Sequence, residues 1–246
     1  MSISPSWKKL IATQLQINFD KLGPPAAYVS LATVRPDNTP ANRTVVFRGF
    51  AGEDHKEATG WESDLLVMTC DKRSPKMSQI TSNSAAEICW YFHGTQEQFR
   101  ISGKLHIVAD GDPASIKPLD EHVCRVSSPD SEKISWPNLA FRNALKQFGQ
   151  DSFSWQAERL RQWYRMSPEL RATFTWPTSK ERGEGEDWKK DVPETLNIEG
   201  VDEETGWCKG DPKLEDGYKN FVLLIMEATK IDHVLLQSGD HRVYRL

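Results

Sequence analysis

Alternating apolar and polar positions fill the first half of the chain and predict a series of short β-strands. The best-defined strand has Phe99, Ile101 and Leu105 on one face, and Gly103 interrupts that face, which suggests a bulge or a close backbone approach. Several antiparallel strands at hairpin spacing, with one short helix between them, indicate a mainly β fold, a small barrel with peripheral helices. The predicted strands cover residues 27–34, 43–50, 65–69, 85–92 and 98–108.

A four-residue spacing of apolar positions predicts a helix near the start of the chain. Trp7, Ile11, Leu15 and Phe19 follow this spacing between residues 7 and 22. Such a stripe forms one apolar side of a helix, so we expect this helix to pack on the strands that follow it.

The second half of the chain has weaker patterns. Strands are predicted over 221–226 and 231–236, where apolar residues cluster. We interpret residues 1–246 as a single domain with a helical insertion over about 111–166 and a polar insertion over about 180–217. The polar insertion is dense in charged residues and glycine, so we expect a solvated or partly disordered loop there.

Composition and charge exclude several functions. The net charge of −4 argues against nucleic acid or an anionic membrane as the main partner. The four cysteines, Cys70, Cys89, Cys124 and Cys208, contain no CxxC pair, which argues against a zinc site and fits reduced thiols. Neither a signal-peptide core nor a bilayer-spanning apolar run is present, so we expect a cytoplasmic protein, with the nucleus as a second possibility.

The most distinctive local motif is a basic loop at residues 69–76, Thr-Cys-Asp-Lys-Arg-Ser-Pro-Lys. Ser74 followed by Pro75 is typical of a helix N-terminus. Arg73 and Lys76 add positive charge beside that start, and a helix N-terminus already favours anions, so a phosphate site is one interpretation. An ordinary capped helix with solvated basic residues is the other.

Three segments, in order and at similar separations, resemble the pyridoxamine 5'-phosphate oxidase family of FMN-binding split barrels. They are Arg-Thr-Val-Val-Phe-Arg at 43–48, Arg-Ser-Pro-Lys at 73–76 and Gln-Phe-Arg-Ile-Ser-Gly at 98–103. Residues 163–177 are similar to a Trp-x-x-x-Ser-Pro-x-x-Arg-x-x-Phe-x-Trp-Pro signature of an oxidase-like branch of that family. The resemblance implies a split β-barrel that is a homodimer, with FMN at the subunit interface.

The resemblance also implies how FMN would be held. A flavin mononucleotide needs cations for its phosphate, hydrogen-bond partners for its ring edge and an apolar wall. By resemblance, the basic loop would hold the phosphate, the second strand would present its backbone to the ring, and two further segments would complete the site. The residues are Arg43, Arg73, Ser74 and Lys76 with Thr69 nearby for the phosphate; Val45, Val46, Phe47 and Arg48 for the ring; and Gln98, from the neighbouring subunit, with Trp176 and Ser179 to close the site.

The implied catalytic residues depart from the family pattern. Arg48 stands where the oxidases carry a lysine, which keeps the charge and changes the donor geometry. Arg242 and Tyr244 match an Arg-x-His pair near the C-terminus, so a tyrosine replaces the histidine, with His241 close by. By resemblance Arg48, Arg242 and Tyr244 are the catalytic candidates.

The substrate is left open by the sequence. The family's Tyr-x-x-x-Arg-x-x-x-Ser substrate clamp is not reproduced, and Ser167 and Arg171 are the only candidates for it. The leading expectation is an FMN-dependent oxidoreductase of the pyridoxamine 5'-phosphate oxidase-like type, whose flavin is reoxidised by oxygen. The alternatives are an NAD(P)H-dependent flavin reductase, a non-catalytic FMN-binding or sensor protein, and a flavin-free barrel whose basic loop only caps a helix.

Overall fold

The computed structural model describes residues 5–110, 116–128, 153–178, 181–182, 187–202 and 207–246. The strands are β1 Tyr28–Val34, β2 Pro40–Phe50, β3 Trp61–Ser63, β4 Leu66–Asp71, β5 Ala85–Phe92, β6 Glu97–Val108, β7 Val123–Arg125, β8 Ile198–Val201, β9 Cys208–Gly210, β10 Phe221–Leu235 and β11 His241–Arg245. The α-helices are α1 Ser6–Leu22, α2 Lys56–Thr59, α3 Lys76–Ser82, α4 Trp155–Arg165, α5 Pro168–Thr173 and α6 Leu214–Asn220. Within these described ranges, each helix is too short or too polar to cross a membrane.

Six antiparallel strands close into a barrel in the order β10-β4-β2-β1-β5-β6, and pairing of β6 with β10 completes the ring. The first half of β10 pairs with β4, whereas its second half pairs with β11. One long strand therefore belongs both to the barrel and to the C-terminal hairpin. The predicted mainly β architecture with peripheral helices is confirmed.

The barrel interior is apolar because alternate residues of every strand point inward. Phe47 of β2 and Phe99 and Ile101 of β6 are almost fully buried there. Helix α1 packs against this core through Trp7 and Ile11, as its spacing predicts. The stripe is incomplete, since Phe19 at the far end of the helix is 46% exposed.

A second apolar cluster lies on the outer surface of β4 and β10. Val67, Leu223 and Ile225 point outward and pack with Trp163 of α4 and with Phe174, which directly follows α5. These helices therefore cover one side of the barrel. The sheet is buried on both faces here, which explains why β10 begins with six consecutive buried apolar residues.

The C-terminal half differs from the sequence prediction in several elements. The strands predicted at 221–226 and 231–236 form one strand, because a register shift near residue 229 lets β10 continue past its polar centre. Strand β11 was not predicted, since it is a mostly exposed edge strand without apolar alternation. Within 180–217, the described residues include the β8–β9 hairpin and α6, where a loop was expected.

Much of the predicted helical insertion lies outside the described residues, as does Ser179. The described part of the insertion contains a 3-10 helix at Lys117–His122, strand β7 and helix α4. Strand β7 pairs with β3, so a small two-stranded sheet also occurs in this region.

Gly103 lies where the backbones of β6 and β10 leave no room for a side chain. A Cβ atom built at this position would lie 2.0 Å from the carbonyl oxygen of Glu227, and the register of β10 shifts directly beyond, between Ala228 and Lys230. Both readings of the glycine, a close backbone approach and a bulge, are confirmed. Any side chain at this position would push the closing strands of the barrel apart.

We therefore predict that Gly103→Ala lowers the free energy of unfolding by about 1–3 kcal/mol, the usual cost of overpacking. Urea denaturation followed by tryptophan fluorescence measures the change. Gly200→Ala is the matched control, because nothing lies within 4 Å of its Cβ position and it too belongs to a strand. Equal stability of the two variants would contradict the close approach.

Candidate functional site

The barrel opens between β2 and β4. These strands pair only at Phe47–Met68, Gly49–Val67 and Phe50–Leu66. Beyond Met68, β4 continues to pair with β10 alone, and within the described structure the first part of β2 has no partner on this side. The backbone of β2 is thus free along one edge, and the basic loop follows at the end of β4.

Arg43 is held at this opening by three neighbours. Its Nη1 donates to the Thr33 hydroxyl at 2.6 Å and to the Leu31 carbonyl at 3.1 Å. Its Nη2 donates to Gln79 Oε1 at 2.7 Å, and the Thr33 hydroxyl donates to the same oxygen at 2.7 Å. Burial, and then the nearby Arg35, lower the pKa of Arg43 below its usual value. A guanidinium nevertheless stays charged at neutral pH.

The donors of Arg43 that have no partner among the described residues share one edge of the guanidinium. A guanidinium has five N–H donors, and three of those of Arg43 go to Thr33, Leu31 and Gln79. Those that remain are Nε–H and the second hydrogen of Nη2. These two point the same way in the planar group, which is the geometry that binds two oxygens of a phosphate or carboxylate.

Lys76 and Ser74 lie beside the same opening. Lys76 Nζ is 3.1 Å from Ser74 Oγ and 3.3 Å from Cys70 Sγ. Cys70 is buried, and its thiol is also close enough to Arg43 to affect the pKa of the guanidinium. Cys70 therefore lies near both Lys76 and Arg43.

The predicted helix start differs in detail from the structure. Helix α3 begins at Lys76, and the Ser74 side chain does not cap it. The hydroxyl lies instead 3.2 Å from Cys70 Sγ and interacts with the Lys76 ammonium, which prevents it from reaching a backbone amide. Because α3 has only seven residues, the positive side chains carry the anion-binding argument rather than the helix itself.

Arg73 is turned away from this group. Its guanidinium forms a bidentate ion pair with Asp71, with contacts of 2.6 and 3.0 Å, and donates to the Phe174 carbonyl at 3.0 Å. Hydrogen bonding to Asp71 raises the pKa of Arg73. The charge of Arg73 is therefore neutralised inside the protein, and its contacts link the basic loop to the C-terminal half.

Arg48 lies across the opening from Thr69, with Nε 3.4 Å from Thr69 Oγ1. The strand is irregular here, since the register with β4 shifts between Phe47 and Gly49. Burial, and then the neighbouring Arg165, lower the pKa of Arg48. Arg165 is paired with Asp54, whereas Arg48 has no carboxylate partner in the described part of the chain.

The side chains of the predicted ring-binding residues in β2 point alternately into the barrel and away from it. Val45 and Phe47 are buried in the barrel, so only their backbone can face a ligand, and Val46 lies on the opposite, half-buried face. Gln98 is in β6, three strands from β2. Since neighbouring strands are about 4.8 Å apart, Gln98 is about 14 Å from β2 across the sheet.

Arg242 and Tyr244 lie in another part of the molecule. Tyr244 is opposite Ile231 in β10, whereas Thr69 is opposite Leu223. Leu223 and Ile231 are eight residues apart, which corresponds to about 26 Å of strand. Tyr244 packs against the barrel core, and the nearby His241 lies 3.3 Å from the Asp232 carboxylate. One chain therefore does not bring these residues to the phosphate-binding candidates.

The Trp163–Pro177 segment is built into the fold. Ser167 caps α5 by accepting from the Leu170 amide at 3.3 Å. Arg171 is almost fully buried and donates to the carbonyls of Leu196, Tyr164 and Met166, as well as to that of Trp163. The two candidates for a substrate clamp are thus occupied by structural hydrogen bonds.

Trp176 approaches the basic loop indirectly. Its indole Nε1 donates to the Pro193 carbonyl at 2.8 Å, and its ring lies 5.5 Å from that of Trp188. Arg73 contacts the Phe174 carbonyl two residues earlier. The segment therefore borders the basic loop, with its tryptophan nitrogen already satisfied.

Comparison with known proteins finds a family match over the first part of the chain. Residues 4–109 match the family described as pyridoxamine 5'-phosphate oxidase, FMN-binding domain. The similarity to that family thus covers less than half of the chain. FMN is accordingly the cofactor of this domain type, as the three motifs implied.

Two named oxidases are similar to part of the chain. Pyridoxine/pyridoxamine 5'-phosphate oxidase 2 of Arabidopsis thaliana is 36% identical over 111 residues, which cover 45% of this chain and 50% of that protein. The pyridoxine/pyridoxamine 5'-phosphate oxidase of Verminephrobacter eiseniae is 26% identical over 147 residues, covering 58% and 63%. The chain thus spans between half and two thirds of the length of these relatives.

Solved structures extend the similarity to the whole chain. A pyridoxamine 5'-phosphate oxidase-related, FMN binding protein of Nostoc punctiforme has 26% identity and a TM-score of 0.61, covering 100% of this chain and 99% of that one. PhzG from Burkholderia lata, solved with tetrahydrophenazine-1-carboxylic acid, has 12% identity and a TM-score of 0.50, with coverage of 100% and 98%. This second likeness shows the fold alone.

The residues of the matched segment fit a phosphate chemically. Neither Arg43 nor Lys76 has a carboxylate partner among the described residues, and two such cations are the donor type that a phosphate dianion requires. Sequence reasoning missed Thr33 and Gln79 as neighbours of the site. Their positions in β1 and α3 look like ordinary strand and helix positions, and only the folded structure brings them to Arg43.

Proposed function

We propose that this chain binds FMN at the opening between β2 and β4 and is an FMN-dependent oxidoreductase of the pyridoxamine 5'-phosphate oxidase-like type. The observation that carries the proposal is the pair Arg43 and Lys76. Arg43 lies in the part of β2 that is unpaired with β4, and Lys76 ends the basic loop that follows β4. Each is hydrogen-bonded only to neutral groups among the described residues. Two unneutralised cations beside a free strand edge suit a phosphate whose attached ring follows that strand.

The phosphate would be bound by Arg43, Lys76 and the Ser74 hydroxyl. A hydrogen bond to a charged group contributes about 1.5–3 kcal/mol, so two cations and a hydroxyl supply substantial affinity. We assign Arg73 to a different role from the one the sequence suggested. Because Asp71 neutralises it, Arg73 would hold the basic loop against Phe174 rather than bind phosphate.

The ring would lie along β2. Since Val45 and Phe47 point into the core, they would contribute backbone groups from the unpaired edge, and Val46 would contribute apolar surface. Arg48, beside Thr69, would place a fixed positive charge near the ring. When bound, FMN supplies the redox chemistry by accepting a hydride equivalent from a reduced substrate.

A second subunit would complete the site. Gln98 is about 14 Å from β2 across the sheet, and Tyr244 is about 26 Å of strand from Thr69. Their predicted roles at one flavin are therefore easier to satisfy from a partner chain than from the same chain. We propose a homodimer in which Gln98, Arg242 and Tyr244 act at the partner's cofactor, with Trp176 at the edge of the site.

An NAD(P)H-dependent flavin reductase is the second candidate. Two observations favour a substrate other than pyridoxamine 5'-phosphate. Tyr244 stands at the position expected for a histidine, and both clamp candidates, Ser167 and Arg171, serve the fold. The phosphate-binding part of the site is the same for both candidate functions.

The phosphate assignment predicts different effects for two neighbouring cations. Lys76→Ala should weaken FMN binding about 10- to 100-fold, because it removes one charge-assisted contact. Lys72→Ala is the matched control, since Lys72 is an exposed lysine of the same loop whose charge is screened by solvent, and it should change FMN affinity less than about threefold. Quenching of flavin fluorescence by the apoprotein measures both affinities, and riboflavin, which lacks the phosphate, serves as the comparison ligand.

Riboflavin affinity should be unchanged in both variants. If Lys76→Ala left FMN affinity intact, the phosphate would not be at Lys76. If riboflavin and FMN weakened equally, the substitution would have disturbed the ring site or the fold.

The homodimer proposal can be tested by subunit complementation. An Arg43→Met/Lys76→Ala chain and a Gln98→Ala chain, carrying different tags, are co-expressed and the mixed dimer is isolated. If Gln98 acts in trans, one site of the mixed dimer is fully intact and binds one FMN with wild-type affinity. Both homodimers should bind FMN at least about tenfold more weakly.

If Gln98 acts within its own chain, the mixed dimer contains no intact site and binds FMN as weakly as the variants do. A monomeric mass by light scattering of the wild-type protein would also contradict the proposal.

The activity can be tested with the FMN-loaded protein under anaerobic conditions. The oxidase proposal predicts that pyridoxamine 5'-phosphate bleaches the visible flavin band and that oxygen restores it. Bleaching by NADPH alone would favour the reductase. A flavin band that no tested donor bleaches would favour a binding or sensor protein and would contradict both enzymatic proposals.

A further inference from the structure

We propose that Gln79, together with Thr33, is a positioning residue that fixes Arg43 for phosphate binding. This inference rests on the proposed FMN function and adds a second layer of residues to it. Gln79 and Thr33 belong to α3 and β1, while Arg43 belongs to β2, so three separate elements meet at one guanidinium.

The three side chains form a closed ring of hydrogen bonds in which the donor and the acceptor of each bond are fixed. A guanidinium can only donate, so the group 2.7 Å from Arg43 Nη2 must be the amide oxygen of Gln79. Thr33 Oγ1 accepts from Arg43 Nη1 at 2.6 Å, and its proton is therefore available for Gln79 Oε1 at 2.7 Å. Each group in the ring is oriented by the other two.

The ring is buried, whereas Arg43 itself is only partly buried. Thr33 is 3% exposed and Gln79 is 7% exposed, so water does not compete freely for their polar atoms. Removing the Gln79 oxygen would leave a buried hydroxyl and one guanidinium donor without their acceptor. Arg43 would then gain freedom to rotate, and its Nε–Nη2 edge would no longer be held in one orientation.

Neutral acceptors are essential to this role. A carboxylate at position 79 would also hold the guanidinium, but it would neutralise the charge that the phosphate needs. The amide provides the same oxygen geometry without a charge. Two variants therefore separate the need for an acceptor from the need for positive charge. Gln79→Glu keeps an acceptor oxygen at position 79 but neutralises the charge of Arg43, whereas Gln79→Leu removes the acceptor and leaves the charge.

Two other roles have to be distinguished from positioning. Gln79 could contact the phosphate directly through its amide nitrogen, or the ring could stabilise only the fold. A direct contact would act independently of Arg43. A purely structural role would change protein stability and would affect FMN and riboflavin alike.

The test is a double-mutant cycle on FMN affinity with Gln79→Leu and Arg43→Met, repeated with riboflavin. We expect Gln79→Leu and Thr33→Val each to weaken FMN binding about tenfold and to leave riboflavin within about twofold. In the Arg43→Met background, Gln79→Leu should have no further effect. Gln79→Glu should weaken FMN binding at least as much as Gln79→Leu does.

Thr59→Val is the matched control for loss of a buried threonine hydroxyl, since Thr59 is 3% exposed and bonds the Trp61 amide instead. It should leave FMN affinity unchanged. Unfolding in urea, monitored for every variant, confirms that the affinities compare folded proteins.

The outcomes separate this inference from the proposed function. If Arg43→Met itself left FMN affinity unchanged, the phosphate assignment of Arg43 would fail. If Arg43→Met weakened FMN binding but Gln79→Leu did not, the function would stand and the positioning role would be wrong. A loss that persisted in the Arg43→Met background would show direct contact and would also overturn positioning.

Discussion

The candidate site depends on the point at which β2 and β4 stop pairing. A closed barrel satisfies the backbone of every strand, so it has no free edge to offer a ligand. Here β4 leaves β2 after Met68 and stays with β10, which keeps the barrel closed elsewhere. The free edge of β2 and the basic loop result from the same divergence, since the loop continues the strand that turned away.

That geometry also explains why the cations at the opening can remain unneutralised. A buried ion normally needs a partner, because desolvation is expensive. Arg43 and Lys76 are only partly buried, and neutral oxygens and a thiol supply some of their hydrogen bonds. The positive charges of Arg43 and Lys76 are therefore available to bind an anionic ligand. Arg73, with Asp71 beside it, shows how the chain treats a cation whose role is structural.

Local patterns in the sequence were sufficient to predict the barrel, and they also indicated the basic loop as the candidate site. Strand β5 has the predicted bounds, and the basic loop directly follows a strand as expected. The roles of Arg73 and Arg171 could not be predicted from local sequence patterns. Whether an arginine faces a ligand, a carboxylate or buried carbonyls is decided by residues distant in sequence, and no local spacing encodes that choice.

The C-terminal half shows the same limitation on a larger scale. Strand β11 has little apolar alternation because it is an exposed edge, so its pairing with β10 is set by the hairpin and not by burial. The family match ends at residue 109, before Trp176, Arg242 and Tyr244. The elements that would hold the phosphate thus lie in the part of the chain whose pattern is strong. The segments that would select the substrate, which contain Trp176, Arg242 and Tyr244, lie where the apolar pattern is weak. In the proposed homodimer, Arg242 and Tyr244 act at the cofactor of the other subunit. Substrate choice then depends on how two chains meet, which a single chain does not specify.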